Sequence, residues 1–312
     1  MLHLKLLRCV SDGPHPRCVV RRVNFRQVKS STSMYLKWLQ NVNDASKAWS
    51  HPKISSLYEK TRPDYNLDSV KYLLEKVGAL KQYSGLEPFT IVELGAGTGK
   101  FTRAVLKVLK QHSVQNFKII ATEPLKSMCD IFKEMVPEVE IIQCSASDLS
   151  DFPDHMIDTV LAAQCFHWFY SEEKAIKEIH RILKPLGTLG LIFYYPDRSV
   201  PWIRSIEEML DPKYTAVGQI NTYDEKILTP LLNVGFCEVA SDVSAFMCFQ
   251  ELDRKDLMER YKTKSVVSAS NQDEKMRILE AIEEILTTNA NTKYDGKYFF
   301  DYVMKIHCFQ KF

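Results

Sequence analysis

The chain has 312 residues, 45% of them hydrophobic, enough apolar side chain for one large domain or two small ones. Its net charge is +2, yet residues 1–40 carry eight Lys/Arg against the single Asp12, which leaves −5 for the remainder. A mildly acidic body argues against nucleic acid, whose affinity rests on neutralised phosphates, and no run of about 18 apolar residues is present to span a membrane.

The first 47 residues lack a core pattern and form a basic N-terminal extension. Their Arg-rich, acid-poor composition suits a mitochondrial presequence, a solvated tail, or a stretch upstream of a second start at Met34. From residue 48 the pattern tightens. Lys53 to Asn66 contains Tyr58, Arg62, Pro63 and Tyr65, and Pro63 ends any helix begun before it. Val70, Leu73, Leu74 and Val77 then mark an amphipathic helix closed by Gly78.

The most informative stretch is Phe89 to Phe101, F-T-I-V-E-L-G-A-G-T-G-K-F. Thr90 to Leu94 reads as a buried parallel strand, and Phe101, Val105, Leu106 and Leu109 as one face of a helix. Between them Gly95, Gly97 and Gly99 can take positive φ and bring backbone N–H groups against a ligand at the helix N-terminus. A P-loop would need Gly at Leu94 and Ser/Thr at Phe101, and a dinucleotide turn would need its third Gly one residue later.

Phe117 to Thr122 is a second strand tipped by Glu123, with Pro124 opening a helix on Met128, Ile131, Phe132 and Met135. A carboxylate at that tip can accept both hydroxyls of a ribose. Val139 to Gln143 is strand three, followed by Cys144-Ser145-Ala146-Ser147-Asp148, and Ile157 to Ala163 is strand four, running into Gln164-Cys165-Phe166-His167-Trp168-Phe169. Ser171 can cap the next helix (Ile176, Ile179, Leu183), and Thr188 to Tyr194 is strand five. Further on come a helix at Trp202 to Leu210, helices near 252–262 and 273–287, and strands at Phe236 to Ala240 and Tyr302 to Phe309. The eight cysteines include no C-x-x-C pair and no Cys/His cluster at zinc-ligand spacing. Several, such as Cys237 and Cys308, fall in apparent strands, which suits reduced buried thiols, a cytoplasmic location (mitochondrial if the extension is a presequence) and no metal.

The E-x-G-x-G-x-G run of Glu93, Gly95, Gly97 and Gly99 resembles motif I of the class I S-adenosylmethionine (SAM) methyltransferases. Tyr58, Arg62, Pro63 and Tyr65 look like the Y-x-x-x-R-P-x-Y segment of the methyltransferase type 11 group, and Ala163 to Phe169 is similar to the A-x-x-x-H-W-F signature of the trans-aconitate-methyltransferase-like branch. The resemblance covers residues 48 to 312. It implies a Rossmann-like three-layer α/β fold whose seven-stranded, mostly parallel sheet has the order 3-2-1-4-5-7-6, with an insertion after strand five.

It also implies SAM as cofactor and a small-molecule methyl acceptor, in a monomer. Glu93, Gly95, Gly97, Gly99, Glu123, Ser145, Ala146, Asp148 and Gln164 are the expected cofactor residues. Ser145 stands where the family often has Asp, so Asp148 is a substitute for the adenine contact. Tyr58, Tyr65 and Trp168 are expected at the substrate, with His167 and Arg62 handling the acceptor. The acceptor read from this branch is a carboxylate giving a methyl ester; N- or O-methylation of a small amine or hydroxyl is the alternative. A dinucleotide oxidoreductase and a catalytically silent methyltransferase-fold interaction protein are the readings from other classes.

Overall fold

The computed structural model describes residues 4–10, 17–23, 47–81, 86–216, 225–288 and 293–312. The central sheet contains β1 (Phe89–Leu94), β2 (Phe117–Thr122), β3 (Glu140–Ile142), β4 (Ile157–Ala163), β5 (Leu183–Pro196), β6 (Phe236–Leu252) and β7 (Lys297–Lys311). Their order is 3-2-1-4-5-7-6, as expected, with β1 to β5 parallel and β7 antiparallel to both β5 and β6.

The sheet separates two apolar layers because side chains alternate along each strand. In β5, Leu189, Leu191, Phe193 and Tyr195 face one layer while Ile192 and Tyr194 face the other. The helices α1 (Pro52–Thr61) and α2 (Leu67–Lys76) precede β1, α3 (Lys100–Gln111) and α4 (Lys126–Met135) follow β1 and β2, and α5 (Glu173–Ile182) follows β4. The layer of Tyr194 holds Val70 and Leu73 of α2 with Val105 and Leu109 of α3, and the opposite one holds Ile176 and Ile179 of α5. After β5 come α6 (Pro201–Ala216) and the short α7 (Thr229–Asn233). A second helical insertion, α8 (Arg254–Lys262), α9 (Ser265–Ser268) and α10 (Gln272–Thr288), lies between β6 and β7.

Several boundaries differ from the sequence reading. β6 and β7 run as a long antiparallel ribbon, paired from Lys311↔Phe236 to Tyr298↔Leu252 with two register shifts. Polar residues such as Ser241, Asp242 and Gln250 hide that length from an apolar pattern. Pro124 lies before its helix, which starts at Lys126 after the N-cap Leu125. Ser171 does not cap α5; Glu172 is the N-cap, without a side-chain cap bond. Much of the basic extension lies outside the described residues. Within it, Leu4–Val10 and Arg17–Val23 form an antiparallel pair that meets β6 at the single register pair Arg8↔Glu238.

Candidate active site

The carboxyl ends of β1, β2, β4 and β5 open into one cavity of about 450 Å³, the place where an open α/β sheet collects its ligands. Its first wall is the glycine turn. All three glycines have positive φ, but each has a different surrounding. A Cβ on Gly95 would lie 2.7 Å from Cys165 Cβ, and one on Gly99 would lie 2.5 Å from Val136 Cγ2, so these two positions are closed by packing. Gly97 has nothing within 4 Å of its Cβ position and lines the cavity. Its open side is where a ligand can approach bare backbone.

Glu123 stands opposite, at the tip of β2. Its Oε2 accepts the Gly97 N–H at 3.0 Å and its Oε1 the Leu125 N–H at 3.0 Å. Burial pushes its carboxyl up to about 7, against the pull of those two N–H donors. Each oxygen keeps a lone pair for a further donor. A buried carboxylate with spare acceptor capacity beside an open glycine fits the ribose edge of SAM. Ser145, Ala146 and Gln164 also line the cavity. Gln164 has φ 56°, and its side-chain Nε2 donates to Tyr194 O at 2.8 Å, which fixes its amide against β5.

Four of the expected residues do not reach the cavity wall. Glu93 is 2% exposed and accepts from Thr102 Oγ1 at 2.7 Å, joining β1 to α3; burial pushes its carboxyl up to about 8. Gly99 is the α3 N-cap. Asp148 is exposed and accepts from Ser150 Oγ at 2.9 Å. Tyr65 is packed edge-on between Phe101 and Tyr194.

The other wall holds His167, Trp168, Tyr58 and Arg62 together, although more than a hundred residues separate the two pairs. His167 sits in a single 3₁₀ turn, Phe166–Trp168, just past β4. Its Nδ1 is buried and has no partner among the described residues. Burial, with a smaller effect from nearby Arg62, lowers the imidazole to about 4, so the ring is neutral at physiological pH. Arg62 lies over the Tyr58 ring at 5.1 Å and donates from Nη2 to Thr263 O at 2.9 Å. Trp49 meets Trp168 edge-on at 5.1 Å and accepts at its carbonyl from Ser55 and Ser127, so the segment before α1 closes the cavity from above.

Sequence reasoning missed Trp49, Tyr194, Tyr214, Arg260 and Lys264, all in the lining. Arg260 and Lys264 come from the α8–α9 corner, which no motif marks. Lys264 Nζ pairs with both oxygens of Glu207, at 2.6 and 2.7 Å, and burial lowers its ammonium to about 8 against the pull of that carboxylate.

Comparison with known proteins agrees with this geometry. A model of the methyltransferase domain family matches residues 92–191. An uncharacterized methyltransferase of Schizosaccharomyces pombe is 33% identical over 233 residues, 74% of this chain and 84% of the relative. A second protein of that yeast, an uncharacterized methyltransferase-like one, is 38% identical over 155 residues; there the chain spans 54% of the relative's length. A Saccharomyces cerevisiae protein named a "probable S-adenosylmethionine-dependent methyltransferase" is 27% identical over 146 residues, 45% of each chain. Among solved structures, one described as a "putative type II methyltransferase" from Anaeromyxobacter dehalogenans superposes with a TM-score of 0.56 at 17% identity, over 79% of this chain and 97% of that one, a likeness of fold. With the glycine turn, the Glu123 carboxylate and the 3-2-1-4-5-7-6 sheet in place, the chain belongs to the class I SAM-dependent methyltransferases.

Proposed function

We propose that the protein methylates a small carboxylate, giving a methyl ester, as the resemblance of residues 163–169 to a branch with carboxyl methyltransferases first suggested. The observation that carries this reading is the pairing of a weakly basic His167 with the cation Arg62 on the acceptor wall. Bound SAM supplies a methyl group already activated by its sulfonium centre. The chain's own task is then to hold the two reactants in line and keep water out.

The Gly97 turn and Glu123 would hold the cofactor's ribose side, with Ser145 and Ala146 beyond them. A carboxylate acceptor is ionised at neutral pH and needs no base, only donors to steer one oxygen. His167, neutral with an unengaged ring nitrogen, supplies a hydrogen bond but is too weak a base to strip an alcohol or ammonium. Arg62 offsets the acceptor's charge, and Trp168 with Trp49 walls the cavity against solvent.

The test is a panel of small carboxylic acids, amines and phenols offered with saturating SAM. The reading predicts turnover of acids, with a maximal rate that changes little from pH 6.5 to 8.5. Methylation of amines or phenols alone, with a rate climbing across that range, would replace it with a base-assisted route.

A further inference from the structure

The acceptor end of the cavity carries more positive charge than one carboxylate requires. Arg260 is 1% exposed, lies over the Phe300 ring at 4.1 Å and donates from Nε to Tyr302 Oη at 2.7 Å. Its Nη1 is buried without a partner, and so is the Nε of Arg62. Neither guanidinium forms an ion pair among the described residues. Glu207, a buried carboxylate that acts on Arg260, is engaged by Lys264. A guanidinium held with idle donors loses hydration without recovering it, so a purely structural position would favour an apolar side chain.

The two arginines sit at one end of the cavity. Arg62 Nη2 binds Thr263 O at 2.9 Å, three residues beyond Arg260, and both arginines line the cavity. Both also act electrostatically on Tyr214, Tyr302 and Lys264, whereas of the two only Arg62 is among the groups acting on His167.

We propose that Arg62 Nε and Arg260 Nη1 form an oxyanion subsite that takes a second anionic group of the acceptor, a carboxylate or a phosphate, beyond the carboxylate that is methylated. This rests on the methyltransferase reading and extends it: the acceptor is at least a dianion, anchored at one end and methylated at the other. Guanidinium groups suit such an oxyanion because their planar donors match its oxygens in pairs.

The test is calorimetric titration of the full chain, saturated with S-adenosylhomocysteine, by glutarate, inorganic phosphate and butyrate. Glutarate or phosphate should bind at least tenfold tighter than butyrate, and Arg260→Gln should remove most of that advantage while leaving S-adenosylhomocysteine affinity within about twofold. Arg62→Gln, at a half-exposed position, should do the same and serves if the buried substitution impairs folding. Phosphate preferred over glutarate identifies a phosphate-bearing acceptor; the reverse identifies a dicarboxylate. Equal binding of glutarate, phosphate and butyrate, no saturable binding of any anion, or selectivity intact in the folded variants would overturn the subsite. Failure of S-adenosylhomocysteine to bind would instead count against the cofactor site, and the same titrations on ligand-free protein would still decide the subsite.

Discussion

At the scale of single residues, two buried carboxylates set the pH behaviour. Glu123 has to be ionised to accept ribose hydroxyls, and burial holds it at about 7 in the free protein. SAM affinity should therefore fall as pH drops below 7, by up to about tenfold per unit. Glu123→Ala should abolish that dependence and weaken SAM at neutral pH at least tenfold, because a charge-assisted bond is worth about 1.5–3 kcal/mol. Calorimetry with unchanged affinity would remove Glu123 from the site. Gly97→Val should be worse: its φ of 58° is strained for a β-branched residue and the side chain would fill the open approach. Retained SAM binding in that variant would place the cofactor elsewhere. Glu93 behaves differently, since it braces rather than binds. Its folded pKa, about 8, lies above its ordinary value, so its share of stability is full below about pH 4.5 and is lost as pH rises through 8. Thermal melts should show a steeper decline from pH 6 to 8.5 in the wild type than in Glu93→Gln, which keeps an acceptor for Thr102. Parallel slopes would show that Glu93 is not the titrating group.

At the scale of elements, the parallel half of the sheet was legible because β1, β2 and β4 are short, apolar and punctuated by Gly, Pro or a charged tip. The same local signals placed Gly97, Glu123 and His167. The antiparallel ribbon was less so, since β6 is partly solvent-facing (Met247, Phe249 and Val239 are exposed) and carries no alternation strong enough to show its 17 residues. Arg260 and Lys264 were unreadable for another reason: their meaning depends on α8 and α9 folding back over α1, a contact between residues some two hundred positions apart. The segment before α1 gives the element-scale prediction. Trp49 packs on Trp168 and through its carbonyl on Ser127, whereas the pair Leu4–Val10 and Arg17–Val23 meets the sheet at one register position. A chain starting at Met34 should keep its melting temperature within about 2 °C and its SAM affinity, because few buried contacts are lost. A chain starting at Ser50 should bind SAM more weakly and melt lower. A large loss in the first variant would make the extension part of the folded domain.

At the scale of the whole molecule, the sheet places Gly97 and Glu123 at the polar end proposed for the cofactor, while Arg62 at the end of α1 and Arg260 and Lys264 of the second helical insertion form the cationic end proposed for the acceptor. The shared core could be read from motif I and its neighbours, and Tyr58, Arg62, His167 and Trp168 from theirs, but Arg260 and Lys264 come from the insertion that follows β6 and have no motif of their own. Among the described residues no helix is long and apolar enough to cross a membrane. The central claim, transfer of a methyl group to a carboxylate, is tested most directly by incubating the protein with methyl-labelled SAM and a small-molecule cell extract, then treating the products with mild alkali. The account predicts a labelled product that releases its label as methanol. Label retained in an alkali-stable N- or O-methyl product would contradict it.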